Sequence, residues 1–290
     1  MGRREAPEGG RVEGAFFLNE ILAAYKFYAW RDIFYLLQGD VLEILSKFPS
    51  ESVDMIFADP PYHLSNDGIT CYAGRRVKVN KGEWDRSKGF MADVAFHRAW
   101  IAECRRILKK TGTIWISGTA HSIFQCGYLL QELGFHILND ICWYKPNAAP
   151  NISCNTFAHA HEILIWAKKD KAAKHFFNYE LMKNGAFPED KMKVAFRQMR
   201  SVWSIPTPTP KEKKWGKHPT QKPLALLRRI VLASTREGDL ILDPFNGSGT
   251  TGIAAMLVGH RRYIGIDIVP EYLTLTGKRL EEITAQGKLF

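Results

Sequence analysis

Apolar residues along this chain change period again and again. Alternating or continuous apolar runs at 33–37, 53–58, 113–117, 137–143, 240–243 and 263–267 read as strands, while three-and-four spacing at 41–48, 94–109, 121–133, 220–234, 249–258 and 271–284 reads as helices. A further helical spacing over 16–30 predicts a helix packed on the main body. Strands alternating with helices predict an α/β fold, doubly wound, with a mostly parallel sheet covered on both sides. The first 14 residues are polar and Gly-rich, as expected of a flexible tail.

The alternation fails twice. Residues 63–92 carry four glycines and six Lys/Arg without a period, which predicts a long mobile loop. Residues 168–217 hold 13 Lys/Arg against 5 Asp/Glu, so +8 of the chain's +10 lies in that one segment. Aromatics are interleaved there, at Phe176, Phe177, Tyr179, Phe196, Trp203 and Trp215, and "IPTPTP" at 205–210 reads as an extended connector. The organisation expected is a tail (1–14), one α/β domain made of 15–167 and 218–290, and a basic insertion between them. Concentrated charge of this kind favours a phosphate-backbone surface over a merely solvated face.

The five cysteines form no CxxC pair and read as free thiols in a reducing compartment. His159 and His161 lack a second ligand pair, so no metal site is expected. The start carries neither a secretory apolar stretch nor a myristoylation signal, and no apolar run reaches 18 residues, so a cytoplasmic protein without membrane contact is expected.

Candidate chemistry sits at two strand ends. "FADPPY" (57–62) follows an apolar strand with two prolines, which cannot continue a hydrogen-bonded ladder; the strand must stop, leaving Asp59 and Tyr62 at its carboxyl end. Open α/β sheets keep their ligands there. Asp59 and the Pro60 carbonyl are acceptors suited to the two hydrogens of an exocyclic amino group, with Tyr62 placed to stack on its ring. Accepting both hydrogens localises the nitrogen lone pair and makes it a nucleophile towards a sulfonium methyl group.

The second end, "LILDPFNGSGTTG" (240–252), is a strand, a glycine turn and a helix start, where backbone amides face a carboxylate or phosphate. Gly247, Gly249 and Gly252 also spell GxGxxG, with Asp267 twenty residues after the first glycine, so a nicotinamide oxidoreductase and an ordinary tight turn are both alternatives. Only 43 residues follow Gly247, too few for a dinucleotide fold unless the sheet is completed from earlier in the chain.

Together, "DPPY" and "DPFNGSGTT", with "GDVLEIL" (39–45), "WYKPNAAPNIS" (143–153) and "KHPTQKP" (217–223), resemble the beta group of S-adenosylmethionine-dependent DNA amino-methyltransferases. The resemblance spans nearly the whole chain and implies a Rossmann-like methyltransferase fold. It implies that Asp59, Pro60, Pro61 and Tyr62 bind and activate a flipped base. Asp243, Phe245, Gly247, Ser248, Gly249 and Thr250 are then expected around the methionine part of the cofactor. His218, Thr220 and Lys222 are expected at its carboxylate, Asp267 at the ribose hydroxyls and Asp40 near the adenosine. DNA contacts are expected from Arg75, Lys78, Lys81, Lys145, Asn147, Arg197, Arg200 and Lys214. Adenine N6 is the first target, because N4-cytosine members more often carry Ser where Asp59 stands. The look of "NKGEWD" (80–85) is similar to small restriction-modification methylases of GATC sites. Several members are dimers, so a homodimer acting on duplex or single-stranded DNA fits the resemblance. The alternatives are an N4-cytosine methylase, an RNA or protein methylase and a non-enzymatic DNA-binding protein.

Overall fold

Period-two alternation in the strands assigns each side chain to one of two helical layers. The computed structural model describes residues 20–62, 69–72, 75–78, 82, 85–151, 154–184, 187, 197–216 and 218–287. Lys26–Trp30 (β1), Phe34–Gln38 (β2), Val53–Ala58 (β3), Ile69–Tyr72 (β4), Arg75–Lys78 (β5), Leu108–Gly118 (β6), His136–Tyr144 (β7), His161–Lys168 (β8), Val202–Ser204 (β9), Leu240–Asp243 (β10) and Arg262–Asp267 (β11) are the strands. All except β4 and β5 join one sheet, in the order β1-β2-β11-β10-β3-β6-β8-β7-β9. From β2 to β6 the neighbours are parallel, and β8 runs antiparallel to both β6 and β7.

The helices are Val41–Ser46 (α1), Phe90–Ile107 (α2), Ile123–Glu132 (α3), Tyr179–Asn184 (α4), Leu224–Ser234 (α5), Thr250–Val258 (α6) and Pro270–Ala285 (α7). Ile56 and Ala58 of β3 pack with Ile44, Trp100 and Leu129 of α1–α3, whereas Met55 and Phe57 pack with Leu227, Ile253 and Leu273 of α5–α7. Trp115 stacks on Trp166 at 4.9 Å and meets Trp203 at 6.1 Å, which pins β6, β8 and β9 together. From β3 the chain winds one way to β6, and from β10 it winds the other way to β11. The carboxyl ends of β3 and β10 therefore meet at the point where the winding reverses, where such sheets open a crevice.

Three expectations change. Within 16–30, residues 20–25 are helical but 26–30 form β1, antiparallel to β2. Arg31 and Asp32 both take positive φ (48° and 53°), and Ile33 N donates to Trp30 O at 3.2 Å, so a primed turn closes a hairpin that helical spacing alone does not reveal. Part of 63–92 is regular, since β4 and β5 pair as an antiparallel ribbon and α2 starts at Phe90. The helix expected over 220–234 starts only at Leu224, because Pro223 stands at its N-cap; a turn at 219–220 precedes it, and His218, Thr220, Gln221 and Lys222 line the crevice. The basic segment is woven into the sheet where β9 pairs parallel with β7 and buries Trp203, followed by buried Ile205.

Candidate active site

A cavity of about 220 Å³ lies at the reversal point, lined from β3 by Asp59, from the glycine turn by Asp243 to Ser248, and from 218–222 by His218, Thr220 and Lys222. Asp40, Phe96, Ile266, Asp267, Ile268 and Tyr272 complete its wall. The two sequence motifs, 184 residues apart between Asp59 and Asp243, thus open onto one space.

Backbone strain builds one side. Gly247 and Gly249 have φ of 50° and 70°; a Cβ on Gly247 would stand 3.1 Å from the His218 ring, and one on Gly249 would overlap the Thr276 side chain. The turn is held from below, where the Arg279 guanidinium donates to Ser248 O at 2.5 Å and to Thr250 Oγ1 at 3.0 Å. Asp267 accepts from Gly247 N at 2.7 Å and Val269 N at 2.9 Å, and Asp243 from Phe245 N at 3.0 Å and Thr251 Oγ1 at 2.6 Å. Burial pushes the Asp243 carboxyl up to about 7 and that of Asp267 up to about 6, against the hydrogen bonds they accept. Asp40 caps α1 through Leu42 N and Glu43 N, with its residue still at the cavity wall.

These groups fit the expected cofactor. Carboxylates of Asp243 and Asp267 suit cationic and hydroxyl groups; Phe96, Phe245, Ile266 and Ile268 offer apolar walls to a purine. The glycine turn and the start of α6 present amides to a carboxylate.

The opposite side is a buried ionic network. Lys222 Nζ lies 2.5 Å from Asp59 Oδ2 and 3.4 Å from Glu162 Oε2; Lys145 Nζ lies 2.5 Å from Glu162 Oε1. The Tyr62 hydroxyl donates to Asp59 Oδ1 at 2.5 Å, with Ser117 Oγ at 3.0 Å and Glu162 Oε2 at 3.2 Å. Burial by itself would raise the Glu162 carboxyl, but Lys222 and Lys145 outweigh it and hold it at about 2. Burial likewise opposes the Lys222 charge, yet Asp59 and Glu162 raise its pKa above the usual value. Asp59 is pushed up by burial, with Lys222 pulling the other way.

Several residues stand elsewhere than the sequence suggested. Lys222 is turned to two carboxylates, which draw the buried ammonium more strongly than an open cavity does. Tyr62 is 4% exposed, since a phenol with polar partners all round its hydroxyl is held in the network and does not present an open stacking face. Tyr62 N also donates to buried Asp85 at 2.9 Å, which fixes the turn after Pro61. Lys145, expected at DNA, lies inside the network and 4.6 Å over the Trp143 ring. Asn147 is exposed but ties its loop to the connector through Thr207, and Lys214 pairs with Glu282 at 2.5 Å. Arg197 and Arg200 are exposed; Arg75 and Lys78 lie on β5, and Lys81 lies outside the described residues. Glu162, Ser117, Asp85 and Arg279 were not singled out by sequence. The one visible signal was Glu162, a lone acid heading the apolar run Ile163–Ala167.

Comparison with known proteins agrees with this geometry. Residues 53–278 match the profile of a family described as DNA methylase. The chain is 52% identical over 248 residues to the type II methyltransferase M2.DpnII of Streptococcus pneumoniae, covering 85% of this chain and 89% of that one. It is 51% identical over 253 residues to M2.MboI of Moraxella bovis, covering 87% and 89%. Among solved structures, an M1.HpyAVI complex with S-adenosylmethionine superposes with a TM-score of 0.61 at 29% identity, over 86% of this chain and 99% of that one. The cytosine-N4-specific PvuII DNA methyltransferase shares the fold, with a TM-score of 0.63 at 20% identity over 87% and 90% of the chains.

Proposed function

The chain belongs to the DNA methylase family and is an S-adenosylmethionine-dependent DNA methyltransferase, and from that premise we propose that it methylates N6 of an adenine flipped out of a GATC site, as the modifying partner in a restriction-modification pair. The observation that carries this reading is the placement of Asp59: its carboxylate ends β3 on the wall of the same cavity as the glycine turn.

When bound, S-adenosylmethionine supplies an electrophilic methyl group on sulfur. Asp243 and Asp267 would take its amino and hydroxyl groups, and the glycine turn with His218 and Thr220 would face its carboxylate. Asp59 and the Pro60 carbonyl accept the two amino hydrogens of the base, which localises the lone pair on nitrogen. With the nucleophile held in line, orientation supplies most of the acceleration. Asp59, which burial pushes up, is also suited to receive at a carboxylate oxygen the proton that the methylated nitrogen sheds.

An acid at position 59 favours adenine over cytosine, because N4-cytosine members of the family more often carry Ser there. DNA would lie across the exposed Arg197 and Arg200 and the β4–β5 ribbon, and two copies would pair through an apolar face such as that of Phe124 and Tyr128, 71% and 61% exposed on α3. Transfer of labelled methyl groups into unmethylated DNA, followed by nucleoside analysis, tests the reading. N6-methyladenine confined to GATC supports it, N4-methylcytosine overturns the base, and no incorporation overturns the function. Sedimentation of the pure protein tests the pairing.

A further inference from the structure

Both oxygens of Asp59 are engaged: Oδ1 accepts the Tyr62 hydroxyl at 2.5 Å and Oδ2 accepts Lys222 at 2.5 Å. Each oxygen keeps a second lone pair, but an oxygen that already accepts so short a bond is a weaker acceptor for an arriving amino group. Glu162 is placed where the displaced donor would go. Its Oε2 lies 3.2 Å from the Tyr62 oxygen and 3.4 Å from Lys222 Nζ, and its other oxygen is tied to Lys145 at 2.5 Å. Ser117 Oγ, 3.0 Å from the Tyr62 oxygen and 3.3 Å from Glu162 Oε2, closes the ring.

Resting on the methyltransferase reading above, we infer that Glu162 is a positioning residue that serves as the second acceptor of the Tyr62 hydroxyl, so that Tyr62 passes its hydrogen bond from Asp59 to Glu162 when the base amino group arrives. The move is a rotation of one O–H bond. Tyr62 keeps its proton, Glu162 stays ionised between two lysines, and Asp59 Oδ1 is left to the amino hydrogen as a stronger acceptor. A hydrogen bond to the charged Glu162 outweighs one to a neutral hydroxyl by about 1–3 kcal/mol. Lys222 and Ser117 do not replace it. Lys222 is itself a donor and faces Tyr62 from 3.1 Å, and Ser117 is a neutral hydroxyl. Asp85 engages the Tyr62 backbone on the other side.

The test is steady-state methylation of a duplex oligonucleotide by the full chain, with cofactor affinity by calorimetry and melting temperature alongside. Glu162→Gln is expected to lower kcat about thirtyfold, with KM for DNA and Kd for S-adenosylmethionine held to within about twofold. In a Tyr62→Phe background the same change is expected to cost less than about threefold, because the hydroxyl to be received is gone. A merely structural Glu162 would lower melting temperature and cofactor affinity together with kcat. Should Glu162→Gln melt far below the parent protein, Glu162→Asp keeps the charge between the lysines while withdrawing the oxygen from Tyr62, and the same loss of kcat is expected from it. An unchanged kcat in the soluble variant, or the full penalty in the Tyr62→Phe background, overturns the inference. No methylation by the unaltered chain overturns the parent reading instead.

Discussion

Replacing Lys222 by Met keeps most of the side chain's volume and removes its charge from a site where it is 5% exposed between two carboxylates. Breaking one partner out of a buried ion pair costs about 3–5 kcal/mol. Lys145 stays on Glu162, so the lower end is expected. With an unfolding entropy near 2.1 cal/mol/K per residue, about 3 kcal/mol in a chain of this size lowers Tm by roughly 5 °C. The pH dependence gives the sharper check. Without the ammonium, native Asp59, which burial already pushes up, holds its proton more tightly than in the unfolded chain, so the folded state binds more protons and the variant loses stability as pH rises. Activity runs the other way, since ionised Asp59 is the stronger acceptor for its amino hydrogen; the acid limb of kcat moves to higher pH. Calorimetric melts and kcat measured at pH 6 and pH 8 read both trends. A Tm loss that is equal at the two pH values, or a kcat loss that higher pH does not relieve, would refute the assignment of Lys222 as the counter-charge of this pair.

Cofactor binding should share this sensitivity. With Asp243 held near 7 by burial, and ionised when a cation lies beside it, Kd for S-adenosylmethionine should tighten about tenfold from pH 6 to pH 8; Asp243→Asn should flatten that slope, as calorimetry at several pH values would reveal. Gly249→Ala places a Cβ at φ 70° against Thr276, so a stability loss of about 1–3 kcal/mol and weakened cofactor binding are expected, and intact binding in the variant would contradict the account of the turn. Arg197→Ala and Arg200→Ala should each reduce the slope of log Kd for DNA against log salt by about 1 without changing which base is methylated; filter binding over a salt series reads this, and unchanged slopes would remove both residues from the DNA surface.

Which parts of the site were legible in the sequence follows from how local their causes are. Asp59 and Asp243 stand beside prolines and glycines that end a strand, so their position at the sheet's edge is written in neighbouring residues. The union of the two motifs in one cavity also follows, since doubly wound sheets reverse where two such strands lie side by side. Glu162 and Lys145 could not be placed this way. Their meeting with Lys222 depends on β8 inserting antiparallel between β6 and β7, a pairing set by long-range contacts such as the stack of Trp115 on Trp166. Lys145 illustrates the same point from charge: a lysine in a basic chain reads as a surface cation, and only the fold reveals a buried carboxylate 2.5 Å away. The β1 hairpin was hidden because "KFYAW" suits a strand and a helix equally, and the turn at Arg31 and Asp32 decides it.

The β9 strand has a consequence for exchange between related enzymes. Trp203 and Ile205 belong to the sheet's core, and the Trp143 indole donates to Ile205 O at 2.7 Å, so the last third of the basic segment is cut to fit this particular scaffold. A basic segment transplanted as the block 168–217 would bring a foreign edge strand to β7, immediately beside the lysine that holds Glu162. Junctions placed near 170 and 200, both outside the native edge strand, would leave the catalytic network with its own frame, and the sequence between them could be exchanged without the chemistry being rebuilt.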